Sequence, residues 1–104
     1  MKAVSVIIPA HNAAATIART LASLRSEADV IGEVLLVDDS SSDDTASVAE
    51  DAASRFALPL RVIHSNCKDA GGARNLALSQ ANYPWIYMTA PDARVGTSKR
   101  GAEL

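Results

Sequence analysis

The sequence predicts an α/β domain of three layers, a mostly parallel sheet with helices on both faces. Two observations carry this. Short apolar runs rich in β-branched residues alternate with segments whose apolar positions recur every three or four residues. The order is βαβαβαβ, and strands joined through helices run parallel. The chain has 104 residues, 48% of them hydrophobic, which suits one small core and one domain.

Each element has its own signal. Residues 4–8, "VSVII", read as a buried strand that Pro9 ends. Asn12 is placed to cap a helix whose buried face is Ile17, Leu21 and Leu24. Gly32 precedes a second strand, residues 33–37, "EVLLV". Ser41 or Ser42 can cap the next helix, with Asp43 and Asp44 in its first turn, where the helix dipole favours acids. Val48, Ala49, Ala52, Ala53 and Phe56 mark its buried face, and Pro59 stops it. Residues 60–63 make a third strand. Gly71 and Gly72 open a third helix, carried by Ala73, Leu76, Ala77 and Ala81. Residues 85–88, "WIYM", make a fourth strand. Residues 96–104 are polar, small and weakly basic, and are expected to fray.

Composition narrows the function. A formal charge of -2 gives no general pull toward nucleic acid or anionic membrane. The lone cysteine, Cys67, excludes an internal disulfide framework and fits a reducing, cytoplasmic setting. No apolar run approaches the ~20 residues that span a bilayer. The apolar segment after Lys2 is too short for a signal peptide and runs straight into a polar turn.

In such a sheet, ligands bind beyond the carboxyl ends of the strands. Residues 9–12 follow strand one, Asp38 and Asp39 follow strand two, residues 64–66 follow strand three, and Asp92 lies past strand four. Asp43 and Asp44 read most simply as dipole-matching residues. Asp38 and Asp39 are harder to dismiss, because adjacent acids repel and a turn needs only one. A carboxylate there could accept from a base N–H or a ribose hydroxyl. His11 is either a solvated loop histidine or a flat ring able to stack on a nucleobase. "GGARN" is either a flexible helix start or a place for close backbone approach to an anion, with Arg74 able to fork onto a diphosphate.

Taken in order, "VSVIIPAHNAAATIARTLASL", "EVLLVDDSSSDDT", "GGARNLAL" and "WIYMTAPDARV" resemble the nucleotide-sugar-binding half of a family 2 glycosyltransferase, of the GT-A fold. The resemblance covers residues 4–95. It implies residues 1–95 as a nucleotide-sugar-binding half-domain and residues 96–104 as a polar tail or truncated continuation. With the βαβ alternation it implies strand order 3-2-1-4, half of a GT-A fold. It implies inverting transfer of a sugar from a nucleotide-diphospho-sugar, a UDP-sugar first, usually with a divalent metal, Mn or Mg. The nucleotide-binding residues it implies are Pro9, Ala10, His11, Asn12, Asp38, Asp39, Gly72 and Arg74. Asp39, or its neighbour Asp38, would hold the base, and His11 would stack on it.

Two departures stand out. The family's Asp-x-Asp motif after the fourth strand aligns with Ala90 and Asp92, so one carboxylate remains as a metal ligand. No residue can be assigned as the base that inversion requires. His64 is conceivable by chemistry, but a structural role suits a strand end better. The expectation is therefore the donor-binding part of such an enzyme, short or truncated and inactive alone. The alternative is a non-catalytic nucleotide-binding or interaction module. A phosphoacceptor receiver domain fits less well, because its acid pair belongs after strand one, which here ends in Pro9. The open edge of strand four is expected to support a homo-oligomer.

Overall fold

The computed structural model describes residues 2–66, 68 and 70–90. Cys67, Asp92 and the 96–104 tail, on which expectations were placed, lie outside them. Four strands, β1 (Val4–Ala10), β2 (Ile31–Asp39), β3 (Leu60–Ser65) and β4 (Trp85–Met88), form one sheet of order β3-β2-β1-β4. Every pairing is parallel. The helices are α1 (Ile17–Ser23), α2 (Thr45–Arg55) and α3 (Ala70–Gln80), with a short 3-10 turn at Arg25–Glu27. The expected order and parallel pairing are therefore found.

The two faces of the sheet follow from the two-residue alternation of strands. Val6, Ile8, Val34 and Leu36 pack with Ile17, Leu21, Ala49, Ala52 and Ala53 of α1 and α2. Ile7, Leu35, Val37 and Ile63 pack against Ala73 and Ala77 of α3. Alanine on α2 and α3 lets both helices lie close to the sheet. Among the described residues no helix is long and apolar enough to cross a membrane.

Several boundaries differ from expectation, each for a local reason. Pro9 does not end β1; it sits within the strand opposite Val37. Ala3 and Ile7 accept hydrogen bonds from Trp85 and Thr89, so the odd-numbered residues of β1 turn their polar groups toward β4. Pro9 shares that side, and β4 has ended at Met88, so its missing N–H removes no ladder bond. Asp38, Asp39 and His64 likewise lie within strands rather than after them. Asn12 does not cap α1, which begins at Ile17 with Thr16 as its N-cap. Neither Ser41 nor Ser42 caps α2; Asp44 occupies that position and Asp43 precedes it.

The amino end of the sheet is closed by a polar knot. Glu33 is buried and accepts from Ser5 Oγ at 2.7 Å, Asn82 N–H at 2.6 Å and Asn82 Nδ2 at 3.1 Å. Arg61 approaches at 3.6 Å and also holds Gln80 at the end of α3. Burial pushes the Glu33 carboxyl upward, but hydrogen bonds from Asn82 and Ser5, with Arg61 nearby, outweigh it and hold it below its usual range. Gly32 lies directly beneath the ring of Tyr83.

Candidate functional site

The carboxyl end of the sheet holds a cleft of about 590 Å³, a size suited to a small ligand. Its described lining is Pro9, Ala10 and His11 from the end of β1, Asp39 and Ser40 from β2, Lys68 from the β3–α3 connection and Ala73 of α3. Strand alternation puts Pro9 and Asp39 on the α3 face, in line with Ile7 and Val37.

Asp39 is buried, yet its carboxylate is well supplied with donors. Its Oδ1 accepts from Ser65 Oγ and from Lys68 N–H, each at 3.0 Å. Asp38 points to the other face. Its Oδ1 accepts from Ser41 N–H at 3.3 Å, and its Oδ2 lies 3.7 Å from His64 Nδ1. The pleat thus divides the two adjacent acids: Asp39 lines the cleft, and Asp38 shapes the turn after β2.

The loops after β1 and β2 are laced together. Asn12 N–H donates to Ser41 Oγ at 2.9 Å, Ala13 N–H to Thr45 Oγ1 at 2.8 Å and Ala14 N–H to Asp43 Oδ2 at 3.1 Å. Asn12 Oδ1 accepts from Ser42 N–H at 2.7 Å. Asp43 also accepts from the Thr45 hydroxyl and N–H. The Thr45 hydroxyl bond is the largest reason its carboxyl sits below the usual range, with the Ala14 N–H adding to it. Its main work is bracing the two loops, beyond the dipole role read from sequence.

Among the described residues four non-glycine residues have left-handed backbone; Ala57 follows α2, and the other three lie at the same rim. Asn12, Ser40 and Lys68 have φ of 53°, 59° and 59°, one residue near the end of each of β1, β2 and β3. Left-handed backbone costs a non-glycine residue on the order of 1 kcal/mol, least for Asn. The lacing hydrogen bonds hold these conformations. Ser40 is fixed by its N–H to Ser65 O at 3.1 Å and its hydroxyl to Asn66 Oδ1 at 2.9 Å.

Of the residues read from sequence as nucleotide-binding, Pro9, Ala10, His11 and Asp39 meet in the cleft. Asn12, Asp38, Gly72 and Arg74 are not among its described lining. Asn12 stands behind His11, and Gly72 and Arg74 belong to the first turns of α3. Ser40, Lys68 and Ala73 line the cleft and were not singled out. Lys68 was the findable one, an isolated cation just before the "GGARN" helix start. His64 is exposed and lies on the face away from the cleft. Among the described residues no three of His, Cys, Asp and Glu gather to hold a metal ion.

A parallel sheet of this order with a cleft at its carboxyl end defines an open α/β fold that takes its ligand beyond the ends of the strands. Residues 5–96 match the model of glycosyl transferase family 2. The chain belongs to that family. It is 42% identical over 84 residues to the succinoglycan biosynthesis protein ExoU of Rhizobium meliloti, covering 80% of this chain and 24% of that one. It is 36% identical over 86 residues to WfaP of Escherichia coli, a UDP-Glc:alpha-D-GlcNAc-diphosphoundecaprenol beta-1,3-glucosyltransferase, covering 83% of this chain and 34% of that one. The chain thus spans about a third or less of the length of the curated relatives it matches. Residues 1–349 of Staphylococcus aureus TarS, solved in complex with UDP-GlcNAc, superpose with a TM-score of 0.80 at 33% identity, covering 98% of this chain and 30% of that one. The mannosyltransferase PcManGT of Pyrobaculum calidifontis, solved with GDP-Man and Mn²⁺, gives a TM-score of 0.82 at 28% identity, covering 96% and 30%.

Proposed function

We propose that this chain binds the nucleotide of a UDP-sugar donor in the cleft at the carboxyl end of the sheet, as the donor-binding part of a family 2 glycosyltransferase. The observation that carries this reading is the meeting of Pro9, Ala10, His11, Asp39 and Lys68 on one cleft. In the proposal the Asp39 carboxylate accepts from a base N–H, and the His11 ring stacks on the base. Lys68 faces the diphosphate, a role first given to Arg74, because an ammonium at the cleft wall attracts phosphate charge. The three strained rim residues hold this arrangement before the ligand arrives, which lowers the ordering cost of binding.

UDP is favoured over GDP because WfaP is named for UDP-Glc and TarS was solved with UDP-GlcNAc. A divalent metal enters the proposal through Asp92 alone, and PcManGT was solved with Mn²⁺. The described residues do not build a metal site, so no step is routed through one. His64 lies away from the cleft, so the described residues are assigned to donor binding and not to deprotonating an acceptor. The cytoplasmic setting expected from the single cysteine belongs to this proposal as well. Calorimetric titration of the chain with UDP, GDP and UMP, with and without Mn²⁺, tests it. UDP should bind most tightly, and UMP should lose the Lys68 contribution. No heat from any of the three with folded protein would overturn the reading.

A further inference from the structure

His11 lines the cleft, yet both of its ring nitrogens are engaged within the chain. Nδ1 lies 2.8 Å from the backbone oxygen of Asp39. A carbonyl oxygen only accepts, so Nδ1 carries the proton. Nε2 lies 3.3 Å from Asn12 Nδ2. The Asn12 amide is itself oriented, because its Oδ1 takes the Ser42 N–H at 2.7 Å and the Ser42 hydroxyl at 3.2 Å. Turning the amide over would set its NH₂ against the Ser42 N–H, donor against donor. Turning the ring over would set a carbon against the Asp39 oxygen. One assignment satisfies all four groups: Asn12 Nδ2 donates, Nε2 accepts, and Nδ1–H donates to Asp39 O.

We infer that Asn12 is a positioning residue that locks His11 as the neutral Nδ1–H ring and withholds both ring nitrogens from the ligand. The ligand then meets only the face and the C–H edges of the imidazole. Choice among bases falls on the Asp39 carboxylate, whose own backbone carbonyl anchors the ring. One residue, Asp39, thereby sets both the hydrogen-bonding and the stacking surfaces. The purpose of the lock rests on the cleft being a nucleotide site; the lock itself does not. Among the described residues, the charged groups that share the cleft with the ring are Asp39 of β2 and Lys68 of the β3–α3 connection, and Asp43 holds the adjoining Ala14 N–H.

Nitrogen-15 spectra of the histidine rings in the intact chain test both parts. In the unaltered protein at neutral pH, His11 should show a protonated Nδ1 and a bare Nε2. Adding UDP should shift the carbon-bound ring protons and leave that nitrogen pattern unchanged. Asn12→Asp tolerates the left-handed backbone and keeps the acceptor for Ser42, but it cannot donate to Nε2. In that variant Nε2 should take up a proton. Asn12→Gly, which also suits φ of 53°, leaves the ring held through Asp39 O alone. The ring should then swing off that carbonyl part of the time, show a mixture of tautomers and weaken UDP binding several-fold. An Nε2–H tautomer in the unaltered protein, or an unchanged pattern in both variants, would overturn the lock. A ring nitrogen that changes protonation on adding UDP would overturn the withholding of nitrogens. UDP moving no ring signal, with the tautomer as stated, would overturn the nucleotide reading and leave the lock standing.

Discussion

Asp39→Asn isolates what the cleft asks of its carboxylate. The amide is nearly the same shape, and its remaining oxygen can take over the bonds from Ser65 Oγ and Lys68 N–H, each at 3.0 Å. The fold should therefore survive, with a loss below about 1 kcal/mol from replacing charged acceptors by neutral ones. Binding has no such refuge. With the oxygen turned to Ser65 and Lys68, the NH₂ group stands where a base N–H needs an acceptor. A hydrogen bond to a charged group contributes about 1.5–3 kcal/mol, so UDP affinity should fall about 10- to 150-fold. Titration calorimetry at fixed salt measures the affinity, and urea unfolding of the same samples measures the stability. Asp51→Asn is the control for net charge, since Asp51 is exposed on α2 and pairs across one turn with Arg55. A folded Asp39→Asn chain that binds UDP within twofold of the parent would refute the role given to the carboxylate. Equal losses in Asp39→Asn and Asp51→Asn would reduce the effect to net charge.

Three further outcomes follow from packing and charge. Glu33 has a folded carboxyl pKa lowered from 4.5, so its stabilising contribution is complete above that value and is lost as pH falls through the lower, folded one. The stability gap between the parent and Glu33→Gln should accordingly narrow in acid, and a constant gap in urea midpoints from neutral pH down would contradict this. At Gly32 an added Cβ would stand 2.3 Å from Tyr83 Cζ, so Gly32→Ala should destabilise by about 1–3 kcal/mol. The same change in a Tyr83→Ala background should cost far less, and additive effects in the double variant would rule out this clash. On the sheet edge, β4 pairs only with β1 among the described residues, and Trp85 and Met88 are 59% and 41% exposed. Concentrated protein should self-associate and Trp85→Lys should suppress it; a monomer at high concentration in sedimentation would count against that edge.

Layering and parallel pairing were legible because they depend on the two periods and on the βαβ alternation, which a sequence carries openly. The strand order needed the resemblance to family 2 glycosyltransferases as well. β4 was placed to the residue. Pro9 was misjudged because its missing donor matters only if a neighbour waits on that side, and where β4 stops is a tertiary fact. Asn12 looked like a cap by composition, but its side chain is spent on His11 and Ser42, and α1 starts later at Ile17. The division between Asp38 and Asp39 was within reach: extending "EVLLV" by two residues and alternating faces separates them. Lys68 could have been suspected as an isolated cation before the "GGARN" helix start, but its place on the cleft wall depends on its own left-handed backbone, which no local pattern announces.

The knot around Glu33 bears on how the last strand finds its alignment. β4 is four residues long, and its exposures run exposed, intermediate, intermediate, exposed, without the strict alternation that would fix its register. Apolar burial alone would let it slide by two residues along β1 at little cost. The segment entering β4 is instead fastened by chemistry: Asn82 gives two donors to Glu33, and Tyr83 N–H reaches Ser5 Oγ at 3.2 Å. A slip would leave a buried carboxylate short of donors, a penalty of several kcal/mol. Glu33 and Ser5 lie on strands made earlier in the chain, so they act as a template that accepts the arriving strand in one alignment. An acid at the end of the sheet opposite the cleft thereby decides where the β4 edge ends.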